Sequence, residues 1–221
     1  MINILVFGDS NSWGYTDKDQ GKRYNNRWPI ILSKKLNNLG IKSHIHEDCL
    51  PGRTTNISDP IDGDHFNGAS VFKSTLLAHS PIDLILLMLG TNDLKKRFNR
   101  EPVDVGLGIK ELINISKSTN SGKGSWHDEN KSELIVITPP TLNIKCSDKN
   151  WINYDDWINA YEKSKKLQSI FKKICLSENV EIIDSNNYVK TSELDPIHWS
   201  KESHQKFGKG ISKAILEIIK F

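Results

Sequence analysis

Residues 82–89, Ile-Asp-Leu-Ile-Leu-Leu-Met-Leu, form the most continuous apolar run in the chain and stop abruptly at Gly90-Thr91-Asn92-Asp93. A segment apolar on both alternating faces fits a central parallel strand covered by helices on each side, rather than a strand with one wet face. Other strand candidates lie at residues 2–7, 41–49, 134–138 and 180–184. Between them apolar residues recur at helical spacing. Trp28 to Leu36 and Leu39 stop at Gly40, a suitable helix-ending residue. Residues 69–79 and 103–116 are further helices. From Tyr154, the positions Trp157, Ile158, Tyr161, Phe171, Ile174 and Cys175 predict one long amphipathic helix, and Phe207, Ile211, Ala214, Ile215, Ile218 and Ile219 form the stripe of a last one. Strands alternating with helices predict an α/β fold with a parallel sheet and helices on both faces.

With 221 residues, 37% of them hydrophobic and 26% charged, the sequence fits one domain spanning 1–221. The net charge of +3 is small and the lysines are scattered, so the footprint of a nucleic-acid binder is missing. No run approaches the roughly 18 apolar residues of a membrane span. The first residues read as a strand and not as a signal peptide, lacking a basic start and a small-residue cleavage site. Cys49, Cys146 and Cys175 are too few and too irregularly spaced for a disulfide framework or a zinc site, which suits a reducing cytoplasm.

In such a sheet the strand-to-helix loops share one edge, where ligands bind. Four of them carry chemistry. Gly8-Asp9-Ser10 places a serine directly after the first strand, and Asp195-Pro196-Ile197-His198 follows the fifth. A serine hydroxyl is a weak nucleophile that needs a base, and the base needs an acid to hold its tautomer. His198 and Asp195 can supply both. Backbone N–H groups of Ser10 and Gly52 and the amide of Asn92 can act as donors to an oxyanion. Singly, each feature has a plainer reading: a Gly-Asp-Ser turn, a Pro-Gly turn, a helix cap at Asn92, a surface histidine.

Together the residues resemble the SGNH branch of the GDSL hydrolases, whose four sequence blocks centre on serine, glycine, asparagine and histidine in this order. Here the blocks read Gly8-Asp9-Ser10, Pro51-Gly52-Arg53, Gly90-Thr91-Asn92-Asp93 and Asp195-Pro196-Ile197-His198. The likeness is closest to the small intracellular arylesterases and acyltransferases, through Asp9 to Gly14, Arg53-Thr54-Thr55-Asn56, Leu89 to Lys95 and Thr138-Pro139-Pro140. The resemblance implies a three-layer, flavodoxin-like α/β/α fold with a mostly five-stranded sheet. It implies Ser10 as nucleophile, His198 as base, Asp195 as orienting acid, and an oxyanion hole from Ser10, Gly52 and Asn92. It also implies a homo-oligomer and no cofactor. Asn11 departs from the family's usual leucine, which bears on substrate preference.

Asn11, Trp13 and Ile197 are candidates for the substrate pocket, with core packing an equal alternative for Trp13. The polar tract 141–151 can overhang the site, form a subunit contact or stay a solvated loop. His44 and His46, beside Glu47 and Asp48, alternate on one strand, and no further metal ligand is fixed; a metal is not expected. No Gly-x-Ser-x-Gly elbow, phosphate loop or dinucleotide fingerprint occurs. The expected activity is hydrolysis of short-chain acyl or aryl esters, with acyl transfer to an alcohol as an extension. A carbohydrate deacetylase using the same residues is the nearest alternative, and a non-catalytic sugar- or protein-binding module the alternative of another class.

Overall fold

A computed structural model describes residues 1–19, 21–124 and 127–219. Five strands, β1 (Ile2–Gly8), β2 (Ser43–Cys49), β3 (Leu84–Met88), β4 (Glu133–Thr138) and β5 (Glu181–Asp184), form one sheet in the order β2-β1-β3-β4-β5. All neighbours run parallel. The chain steps from β1 to β2 on one side and then to β3 on the other, so the strand order reverses at β1 and opens a crevice at the carboxyl ends there. Register makes this concrete, because Gly8 at the end of β1 pairs with both Cys49 and Met88.

Helices cover both faces. Leu5, Phe7, Ile85, Leu87 and Val136 meet α3 (Gly68–Ala78), α4 (Pro102–Ser118) and α5 (Ala160–Ser177) through Phe72, Leu76, Val105, Ile109 and Phe171. The alternate residues Ile4, Val6, Leu84, Leu86 and Ile137 meet α2 (Trp28–Asn38) and α6 (Lys201–Ile218) through Trp28, Leu32, Phe207, Ile211 and Ile215. This alternation is the strand period of two, seen from both sides at once because neither face is wet. Burying each such large side chain contributes about 1.5–3 kcal/mol of apolar transfer.

Most elements lie within two residues of their predicted ends; the fifth helix does not. Instead of starting at Tyr154, it begins at Ala160, after a short 3₁₀ turn at Tyr154–Asp156. Asn159 adopts a left-handed conformation, φ 65°, which stops the earlier turn from running into the helix. Trp157 is thereby carried out of the helix and left at the carboxyl edge of the sheet. The segment 59–68, rich in Asp and Gly, includes a 3₁₀ turn at Asp64–Phe66. The polar composition of residues 118–131 points to a surface loop, and of that tract residues 125 and 126 lie outside the described residues.

Candidate active site

Ser10 opens α1 (Ser10–Trp13), a single turn that follows β1 without a linker. Asp9 caps it, accepting the Asn11 N–H on Oδ1 at 3.0 Å. The turn lies so close on the strand that a Cβ at Gly8 would come 2.5 Å from Ser12 Oγ. Gly14, at φ 101°, then reverses the chain, and the N–H groups of Gly14 and Tyr15 both donate to the Ser10 carbonyl, at 3.0 and 2.9 Å. Burial raises Asp9 to a pKa of about 6, with the Asn11 N–H and the His198 charge acting in the opposite sense.

His198 reaches Ser10 from the loop between β5 and α6. Its Nε2 lies 3.2 Å from Ser10 Oγ and its Nδ1 lies 2.6 Å from Asp195 Oδ2. Asp195 Oδ1 also accepts the N–H groups of Ile197 and His198, at 3.0 and 3.2 Å, which folds the four-residue segment around its own carboxylate. Burial opposes ionisation of Asp195, yet the His198 hydrogen bond and charge, then these two N–H groups, hold its pKa below the usual value. An ionised carboxylate only accepts, so the ring proton sits on Nδ1 and Nε2 is left to accept from the serine.

Several contacts fix this loop from outside. Asn11 Nδ2 donates to the Ile197 carbonyl at 3.2 Å, Ser192 N to the His198 carbonyl at 3.0 Å, and Asp17 N to the Trp199 carbonyl at 3.1 Å. The Tyr15 ring stacks on the His198 ring, centroids 3.9 Å apart at 28°. Beneath Tyr15, the buried His204 of α6 donates from Nε2 to the Tyr15 carbonyl at 3.2 Å and accepts the Trp28 N–H on Nδ1. Burial pushes His204 down to a pKa of about 4, which keeps that imidazole neutral.

Gly52 and Asn92 come from the loops after β2 and β3. Gly52 has φ 95°, and a Cβ there would meet the Phe66 ring at 2.8 Å, so only glycine fits. Asn92 Nδ2 donates one proton to the Arg53 carbonyl at 3.1 Å; an amide nitrogen carries a second. Arg53 in turn bonds the carbonyls of Asp48 and Gly8 and the Asp48 carboxylate, with its guanidinium 4.1 Å from the Phe7 ring centre. A buried charge cluster joins the two loops. Asp93 Oδ1 takes Arg100 Nη1 at 2.7 Å and the Thr55 hydroxyl at 2.5 Å, and its carboxylate also accepts the Thr55 N–H. Burial raises the pKa of Asp93, opposed first by Arg100 and then by Thr55. Since the guanidinium stays protonated, a neutral Asp93 would strand a buried cation, and we read the pair as ionised.

Ser10, Gly52, Asn92, Asp195, Ile197 and His198 line one cleft of about 300 Å³. Its remaining wall comes from Tyr15, Lys95, Trp151, Asn153, Asp156 and Trp157, together with Pro51. Of the tract 141–151, Trp151 lines the cleft, Leu142 and Cys146 anchor the segment in the core, Asn143 N donates to the Pro196 carbonyl at 2.9 Å, and residues 144–145 and 147–150 are exposed. Two pocket candidates are elsewhere. Asn11 turns its buried amide toward Ile197, and Trp13 packs against Arg23, 5.4 Å from its ring centre. Both miss the cleft because α1 ends after one turn and the reversal at Gly14 brings Tyr15 back in their place. Trp151 belongs to the tract read as able to overhang the site, whereas Trp157, Lys95 and the Asp93–Arg100 lock escaped the sequence reading; the asparagine at 159, a residue type that tolerates the left-handed conformation, was the one available signal for Trp157.

His44 and His46 on β2 meet edge to face with centroids 4.3 Å apart, and His79, at the end of α3, lies tilted against His46 at 4.7 Å. Among the described residues no group of three His, Cys, Asp or Glu is arranged to hold a metal ion, and no helix is long and apolar enough to cross a membrane.

The fold recurs in solved structures. The M. smegmatis aryl esterase is 29% identical and superposes with a TM-score of 0.88, over 99% of this chain and 100% of that one. A carbohydrate acetylesterase from Sinorhizobium meliloti is equally similar, at 29% identity and TM-score 0.88 over 99% and 100% of the two chains. The lipase/acylhydrolase from Enterococcus faecalis, 17% identical with a TM-score of 0.69 over 100% and 98%, shares the fold. No curated protein matches the chain. The model of the GDSL-like lipase/acylhydrolase family matches residues 6–206. With that match running from inside β1 to inside α6, the chain belongs to the GDSL-like lipase/acylhydrolase family and is a serine ester hydrolase.

Proposed function

We propose that the protein hydrolyses short-chain acyl or aryl esters through an acyl-enzyme on Ser10, and that it passes the acyl group to an alcohol when one competes with water. The reading is carried by the continuous chain Ser10 Oγ–His198 Nε2, 3.2 Å, and His198 Nδ1–Asp195 Oδ2, 2.6 Å, inside a cleft that Gly52 and Asn92 also line. Ser10 Oγ attacks the ester carbonyl carbon while its proton moves to His198 Nε2. The carbonyl oxygen, now negative, is met by the N–H groups of Ser10 and Gly52 and the second amide proton of Asn92. The intermediate collapses, the C–O bond to the alcohol breaks, and the leaving oxygen takes the proton from His198. A water or alcohol then repeats the sequence on the acyl-enzyme and restores the Ser10 hydroxyl.

A cleft of about 300 Å³ walled by Tyr15, Trp151 and Trp157 suits a small acyl group or a flat aryl alcohol. Deacetylation of a carbohydrate is the second reading, favoured by Asn153 and Asp156 at the same wall and by the acetylesterase among the similar structures. Three cysteines, none in a disulfide, suit a reducing compartment such as the cytoplasm. The test is a panel of p-nitrophenyl esters of increasing chain length and acetylated sugars, assayed with wild type, Ser10→Ala and His198→Ala. Expected is hydrolysis that falls at least about 10³-fold in kcat with either substitution. Turnover surviving both would sink the mechanism, and none with any ester would favour a binding module.

A further inference from the structure

Among the described residues that line the cleft, Lys95 is the only lysine or arginine. It follows directly on the 3₁₀ turn Asn92–Leu94, and its N–H donates to the Asn92 carbonyl at 3.1 Å. Thus the ammonium and the Asn92 amide ride on one turn. Among the described residues the ammonium has no carboxylate within 4.0 Å; it lies over the Trp157 ring, 5.8 Å from its centre.

The nearby acids are engaged by another cation. Arg97 holds Asp59 at 3.0 Å and Asp62 at 3.1 Å, and reaches Asp156 at 4.0 Å. Asp195, the other acid of the cleft, is held by His198. Lys95 is thus a half-buried charge whose surroundings leave it uncompensated. Burial, then repulsion from Arg97, lowers its pKa, while Asp156, Asp59 and Asp62 attract it from beyond contact. An anion seated beside it relieves that penalty.

Building on the esterase reading above, we propose that Lys95 selects esters carrying a carboxylate on the acyl or alcohol half, pairing with it while the ester carbonyl lies between Ser10 and Asn92. Asp156 is the opposing element, a carboxylate on the same wall that limits the preference.

The experiment compares matched anionic and neutral esters: 4-nitrophenyl hemisuccinate against its methyl ester for the acyl half, and 4-acetoxybenzoate against methyl 4-acetoxybenzoate for the alcohol half. Each kcat/KM ratio is normalised to the ratio for bimolecular attack by hydroxide, because the hemisuccinate carboxylate also expels nitrophenolate by itself through the cyclic anhydride. In wild type at least one normalised ratio is expected to exceed ten. Lys95→Gln should lower that ratio about tenfold, Lys95→Arg should keep most of it, and Asp156→Asn should raise it. Raising the salt from 0.05 to 0.5 M should shrink it, as screening requires. Which ester pair shows the preference identifies the half that carries the charge. A ratio near one in both pairs, or one that Lys95→Gln leaves unchanged, overturns the proposal while the esterase reading stands. Neutral-ester hydrolysis that is absent, or indifferent to Ser10→Ala, overturns both.

Discussion

On the Gly52 and Asn92 side of the cleft the loops are tied by a charged pair, with Asp93 fully buried and the Arg100 side chain 9% exposed. On the Ser10 and His198 side the working pair is half open, 18% exposed at His198 and 23% at Asp195, and the buried groups behind it are driven toward their neutral forms. The difference follows from what each side must do. Donors to an oxyanion carry no changing charge, so a salt bridge can lock them without interfering with a proton transfer. A base must accept a proton and release it, so the one carboxylate set against its ring, Asp195, is partly exposed, and the groups behind it add no further fixed charge. Backbone contacts, a stacked Tyr15 and a neutral His204 hold the base in position without adding charge.

The sharpest break in this comparison comes from the open side. Asp195→Asn places an amide where the carboxylate meets Nδ1, so the ring proton is no longer held there. We expect kcat to fall by about 10⁴. Because the side chain is partly exposed, the melting temperature should move by only a few degrees. The locked side should behave in reverse. Arg100→Met strands the Asp93 carboxylate in the core, a loss of about 3–5 kcal/mol, read as a fall of roughly 10 °C in Tm. The double variant Asp93→Asn/Arg100→Met should recover part of it, since no charge is then left alone. An Arg100→Met protein as stable as wild type would mean that the cluster does not hold the two loops.

The parallel sheet and the meeting of Ser10, Gly52, Asn92 and His198 were legible because both depend on local signals. Apolar runs end at small-residue loops, and in a parallel sheet those ends must face one edge. What escaped depends on where the chain turns back. Tyr15 reaches His198, and Trp13 does not, only because Gly14 takes φ 101°. Trp157 joins the cleft because Asn159 breaks what reads as one amphipathic stripe. The periodicity of residues 154–175 contains no term for that left-handed residue. Arg100 meets Asp93 across a loop held by Thr55, a partner 38 residues away from Asp93 in sequence. Such a pairing belongs to the tertiary fold and has no spacing to betray it.

The neutral character of the open side carries its own pH signature, smaller than the effects above. Asp9 is raised to about 6 from 3.8, so between those values the folded protein holds a proton that the unfolded chain has released. Stability from this residue is therefore lost as pH rises through that window, by about 3 kcal/mol for two units. His204 is lowered to about 4 from 6.5, so there the unfolded chain binds the extra proton, and stability is lost as pH falls from 6.5 toward 4. The magnitude is again about 3 kcal/mol, with the opposite sign. In wild type the two slopes offset each other, and single variants should separate them. Measured as ΔΔG against wild type by urea unfolding, Asp9→Asn should be more favourable at pH 7.5 than at pH 4.5. His204→Gln should be more costly at pH 7.5 than at pH 4.5. Referencing each variant to wild type at the same pH removes the other carboxylates from the comparison, Asp93 included. If both variants show flat differences across that range, the groups behind His198 are not held neutral, and the contrast between the two sides of the cleft fails.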